Sequence, residues 1–76
     1  MPHVTVKLWP GRSDDIKRKV AERIAADVAE GLKVDIGDVS VAFEEVERSD
    51  WGEKVYKKEI RDNMENIYFK PDYEYE

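Results

Sequence analysis

The sequence predicts a small α+β domain: a strand, a helix and a second strand, followed by a second helix. Three observations predict it. Two short stretches alternate apolar and polar residues, the period of a half-buried strand. The stretch between them repeats its apolar residues every four positions, as an amphipathic helix does. A third periodic stretch, again helical in spacing, follows the second strand.

The first strand is His3-Val4-Thr5-Val6-Lys7-Leu8-Trp9. Val4, Val6 and Leu8 fall on one face, and His3, Thr5, Lys7 and Trp9 on the other. Pro10-Gly11 ends it. Ser13 then stands at a helix N-cap position, with Asp14 and Asp15 in the first turn, where the helix dipole favours anions. Ile16, Val20, Ile24 and Val28, flanked by Ala21, Ala25 and Ala29, make a narrow seam that lets the helix lie close to a sheet. Gly31 marks the expected end of this helix to within one residue. Val39-Ser40-Val41-Ala42-Phe43-Glu44 is the second strand, with Ser40, Ala42 and Glu44 on its polar face. Asp50 and Glu53 have the spacing of a capping box and open the second helix, whose seam is Tyr56, Ile60, Met64 and Ile67. The acidic, aromatic tail Lys70-Pro71-Asp72-Tyr73-Glu74-Tyr75-Glu76 is expected to be ordered only by docking on the rest.

Strand, crossover helix and strand make one right-handed unit with parallel strands. Two strands alone are not a stable sheet. The expected remedy is a second copy of the chain, giving a homodimer with a four-stranded sheet and helices on one face. The polar character of the opposite face disfavours a hexamer, which would bury it at the centre of a larger assembly.

The 76 residues are room for one domain, residues 1–76. A domain of this size buries only about 60% of its unfolded surface. There is no Cys and one His, which excludes a disulfide framework, a thiolate metal site and a His-cluster metal site within one chain. Charged residues make up 41%, the net charge is -5 and the mean hydropathy is -0.75. An acidic chain opposes binding to nucleic acid, where phosphate neutralisation supplies most of the affinity, and to anionic membranes. No stretch approaches the ~20 apolar residues of a membrane helix. The first ten residues lack the apolar run of a signal peptide, so a cytoplasmic protein is the expectation.

The usual catalytic constellations are absent. Ser13 and Ser40 have only His3 as a candidate base, and no Gly-rich phosphate loop occurs. Most carboxylates sit at helical surface spacings. One position is unusual: Pro2 follows Met1 directly and leads at once into a strand. Removal of Met1 would expose a secondary amine held rigidly at the strand's start. An amine in an apolar pocket loses basicity, because desolvation penalises its charged form, and a neutral amine near pH 7 is a general base. Taken by itself, Pro2 is more often an ordinary second residue.

The order Pro2, alternating strand, Gly11-Arg12-Ser13 opening an amphipathic helix, second alternating strand and Trp51 resembles the 4-oxalocrotonate tautomerase family. The resemblance covers roughly residues 2 to 51. It implies a β-α-β fold of the kind shared with macrophage migration inhibitory factor, here with a second C-terminal helix. Met1-Pro2-His3, Trp51, Glu59-Ile60, Met64 and Lys70-Pro71 with Tyr73 are similar to a longer, dimeric branch that tautomerises phenylenolpyruvate-like compounds. The resemblance implies a keto-enol tautomerase without a cofactor, acting on an enol or α-keto acid. It puts Pro2 at the catalytic base, Arg12 at the substrate carboxylate and Trp51 at an aromatic wall of the pocket. One position departs: where the hexameric enzymes have a second arginine on the second strand, this chain has Ser40. A hydroxyl offers a hydrogen bond but no charge, which counts against dicarboxylate substrates. Arg48, Lys7 and His3 are the candidates to compensate. Two alternatives stand beside this reading. One is dehalogenation or hydration of an unsaturated acid, with a cationic Pro2 as acid. The other is a non-catalytic homodimeric scaffold, if Met1 is retained.

Overall fold

The structure is a computed structural model and describes residues 1–75; Glu76, the end of the acidic tail, lies outside the described residues. Strand β1 (His3–Leu8) leads to helix α1 (Asp14–Leu32), a 3-10 turn (Ile36–Asp38) and strand β2 (Ser40–Glu45). A second 3-10 turn (Arg48–Asp50) runs into helix α2 (Gly52–Ile60), which ends in a further 3-10 stretch (Arg61–Asn66).

The two strands pair in parallel, with His3 opposite Ser40 and Leu8 opposite Glu45. The alternation in the sequence is met by the packing. Val4, Val6, Val41 and Phe43 are half-buried, whereas His3, Thr5, Ser40 and Ala42 are exposed. Helix α1 lies by the apolar face, and the Lys17 ammonium, 2.6 Å from Glu45 Oε2, ties it to the end of β2. Ser13 caps α1: its Oγ accepts from the Ile16 N–H at 3.2 Å.

The other end of α1 falls within one residue of Gly31, as expected. The helix continues through Gly31 to Leu32, and Lys33 takes the left-handed position at φ 59°, ψ 51°. The N–H groups of Lys33 and Val34 both converge on the Ala29 carbonyl. Those closing bonds satisfy a helix-end acceptor and offset the cost of a left-handed non-glycine residue, about 1–2 kcal/mol.

The start of α2 differs from expectation. Asp50 and Glu53 form no capping box. The preceding 3-10 turn already engages the first donors, with Asp50 N–H on the Glu47 carbonyl and Trp51 N–H on that of Arg48. The two carboxylates instead pair one turn ahead, Asp50 with Lys54 at 3.4 Å and Glu53 with Lys57 at 2.6 Å. Helix α2 is also wound wide, as a π-helix: the Arg61 N–H reaches the carbonyls of both Lys57 and Tyr56. Gly52, Val55 and Tyr56 are its buried residues. With Val46, Val55 and Tyr56 form the core, and each is less than a tenth exposed. A kink at Asn63 (φ -130°, ψ 24°) breaks the 3-10 stretch that follows.

Candidate active site

Two groups of candidate residues stand at opposite ends of the sheet. At its head, the Ser40 N–H donates to the Pro2 carbonyl at 3.1 Å, which extends the ladder one step before β1. Pro2 is half-buried, and Met1, bonded to its nitrogen, is 96% exposed. The register sets His3 beside Ser40 on the polar face. His3 Nδ1 is 2.6 Å from Ser40 Oγ, and its Nε2 is 3.2 Å from Thr5 Oγ1.

At the far end, Gly11 holds φ 130°, a conformation that L side chains rarely adopt, and so turns the chain sharply between Pro10 and Arg12. Arg12 lines a groove of about 520 Å3 with Leu8, Trp9, Trp51, Tyr73 and Tyr75 among its walls. Among the described residues Arg12 has no carboxylate within ion-pair distance, so its guanidinium faces the groove unneutralised. Trp9 and Trp51 meet edge to face at 6.5 Å. The Trp51 indole N–H donates to the Tyr73 hydroxyl at 3.2 Å. Such a wall is apolar over most of its area and keeps a few fixed donors, the usual composition of a small-molecule site.

The three side chains expected to compensate for the absent second-strand arginine are used differently. Lys7 is hydrogen-bonded to Glu59, and that carboxylate raises its pKa above the ordinary lysine value. Arg48 lies over the Trp9 ring, 4.8 Å from its centre. His3 alone of the three has a hydrogen bond to Ser40.

The structure therefore brings Arg12 together with Trp51, and Pro2 together with Ser40, but keeps the two pairs apart. Six strand residues at about 3.3 Å each separate them by roughly 20 Å. Sequence reasoning missed Trp9, Tyr73 and Tyr75 as groove residues. The available signal was the alternation Tyr73-Glu74-Tyr75 directly after Pro71, the pattern of a short extended segment with one face on a surface.

The model of a family described as tautomerase enzyme matches residues 2–59, a span that takes in Pro2, Arg12, Ser40 and Trp51. The chain belongs to the tautomerase family. A protein of Xylella fastidiosa named probable tautomerase is 40% identical over 73 residues, covering 96% of this chain and 89% of its own. The tautomerase PptA of Pectobacterium carotovorum is 35% identical over 79 residues, 99% of this chain and all of its own. A probable tautomerase of Halalkalibacterium halodurans is 40% identical over 52 residues, 68% of this chain and 85% of its own. The parallel strand-helix-strand unit with a second C-terminal helix is the tautomerase fold, and the chain is an isomerase of the tautomerase type. No helix among the described residues is long and apolar enough to cross a membrane.

Proposed function

We propose that this tautomerase interconverts the keto and enol forms of α-keto acids with an apolar or aryl tail, phenylpyruvate-like, using the amine of Pro2 after removal of Met1. The observation that carries this reading is the anchoring of Pro2. Its carbonyl is fixed by the Ser40 N–H, so with Met1 gone its nitrogen is the first atom of the chain, beyond the head of the sheet. The fully accessible Met1 suits removal.

In the keto-to-enol direction the neutral Pro2 nitrogen takes a proton from the carbon next to the carbonyl. The C–H electron pair forms the C=C bond, and the carbonyl oxygen becomes the enolate oxygen, then the enol hydroxyl once protonated. The reverse reaction takes the hydroxyl proton and returns one to carbon. Arg12 holds the substrate carboxylate by a charge-assisted pair. Ser40 donates to the developing oxyanion. Trp51 excludes water, which keeps the Pro2 amine weakly basic.

A distance of roughly 20 Å prevents one α-keto acid from touching Pro2 and Arg12 of the same chain. A homodimer in which two copies pack head to tail resolves this, because the head of β1 in one copy then meets the groove of the other. The same packing pairs the open edge of a two-stranded sheet and covers exposed apolar residues such as Ile16 and Val20. The working unit is accordingly a cytoplasmic homodimer with shared sites.

Mixing tests it. Alone, a chain with Met1 retained should be inactive and an Arg12→Ala chain should keep about a tenth of wild-type activity or less. Unfolded and refolded together, they should regain about a quarter of wild-type activity, because half of the dimers are hybrids with one intact site of two. Sites confined to single chains would regain nothing.

A further inference from the structure

We propose that the C-terminal segment Pro71–Tyr75 is the specificity wall of the groove, favouring an aryl or apolar substrate tail and repelling a second carboxylate. The inference rests on the reading of the Arg12 groove as the substrate site. The segment lies beyond the residues 2–59 that the tautomerase family model matches.

The segment belongs to no strand or helix, and its side chains tie it down. The Tyr73 hydroxyl accepts from the Trp51 indole N–H at 3.2 Å, and the Tyr73 ring lies 5.7 Å from buried Tyr56. The Tyr75 hydroxyl donates to the Arg48 carbonyl at 3.1 Å, and its ring lies 6.5 Å from Trp9. Trp51 and Trp9, which the two tyrosines meet, line the groove together with Tyr73 and Tyr75, so the docked segment forms part of its wall. Tyr73 keeps 44% of its surface exposed and Trp9 36%, which leaves aromatic faces for a ligand.

Charge placement gives the second half of the argument. Arg12 is the groove's unneutralised cation, and Glu74 is its one acidic lining residue among those described. Glu74 has no ion-pair partner among the described residues. A substrate carboxylate on Arg12 directs the rest of the molecule along the Tyr73–Tyr75 wall. An aryl group gains ring contacts there. A second carboxylate meets Glu74 instead.

The experiment measures deuterium exchange by NMR at the carbon next to the carbonyl of phenylpyruvate, pyruvate and 2-oxoglutarate. Tyr73→Ala should lower phenylpyruvate exchange about tenfold more than pyruvate exchange, chiefly through KM. Tyr73→Phe keeps the ring and should keep the preference. Glu74→Lys changes an exposed side chain and should raise the ratio of 2-oxoglutarate to pyruvate exchange about fivefold. Proportional loss on all three acids in Tyr73→Ala, or an unchanged ratio in Glu74→Lys, would overturn the proposal. If the wild-type protein exchanges none of them, the catalytic reading fails by itself. Tryptophan fluorescence quenching by phenylpyruvate then still decides about the wall: equal affinity of wild type and Tyr73→Ala would refute it.

Discussion

His3 Nδ1 lies 2.6 Å from Ser40 Oγ across the first rung of the parallel strand pair. The other ring nitrogen of His3 is 3.2 Å from Thr5 Oγ1, so one imidazole spans two hydroxyls. When Nδ1–H donates to Ser40 Oγ, the Ser40 proton is left free for an acceptor other than the ring, the oxyanion in the proposed mechanism. A histidine and a serine together thus occupy the place where a strand arginine would bring charge. Ser40→Ala should lower kcat roughly ten- to a hundredfold. His3→Ala should cost less, and adding it to Ser40→Ala should cost nothing further, because the two act as one unit. Steady-state kinetics of the double-mutant cycle checks this; additive losses would separate the two residues.

Arg12→Ala should reduce kcat/KM for phenylpyruvate roughly ten- to a hundredfold, the worth of one charge-assisted pair at about 1.5–3 kcal/mol. Arg12 is exposed and unpaired among the described residues, so thermal unfolding should move little. A large fall in melting temperature with unchanged kinetics would assign Arg12 to the fold instead.

Ser40→Arg should fold, because Ser40 is exposed on the polar face of β2 rather than turned into the core. It should shift preference toward dicarboxylates, since it restores a cation opposite His3. Competition between 2-oxoglutarate and phenylpyruvate measures the shift. No change in preference would place the Ser40 side chain outside substrate reach.

Lys7 and Glu59 join the polar face of β1 to α2. The hydrogen bond to Glu59 raises the Lys7 pKa above 10.5. A group with a raised folded-state value stabilises the fold below its unfolded pKa, and that contribution is lost as pH rises through the folded value. As pH rises above the ordinary lysine pKa of about 10.4, the melting temperature of the wild type should therefore converge on that of Lys7→Met. Parallel curves would show that the pair contributes nothing measurable, the common case for exposed ion pairs.

The parts of the fold that were legible in the sequence are those set by local rules. The alternation of His3 to Leu8 and the Ser13 cap of α1 depend on neighbours within four residues, and both are found where the sequence puts them. The end of α1 falls one residue past Gly31, where the Lys33 and Val34 N–H groups bond to the Ala29 carbonyl. The capping box failed because the Asp50 and Glu53 carboxylates had competing lysines at Lys54 and Lys57. Val55 was missed from the core because the expected seam followed a spacing of four from Tyr56, whereas Gly52, Val55 and Tyr56 are buried at i, i+3 and i+4. At the site, Pro2, Arg12, Ser40 and Trp51 came from a resemblance in order and spacing. Their division between the two ends of β1, and the docking of Tyr73 and Tyr75 on Trp51 and Arg48, are long-range facts that no local pattern carries.

The central claim is that the catalytic base is the amine of Pro2. A chain of 76 residues is short enough to synthesise with and without Met1. Both forms should fold alike, since Met1 is exposed and the Pro2 carbonyl keeps its bond to Ser40 in either. In the longer form the Pro2 nitrogen is a tertiary amide, with no basic lone pair. The measurement is phenylpyruvate proton exchange by the two synthetic proteins side by side. The form beginning at Pro2 should be active and the form beginning at Met1 inactive; equal activity in the two would contradict the account.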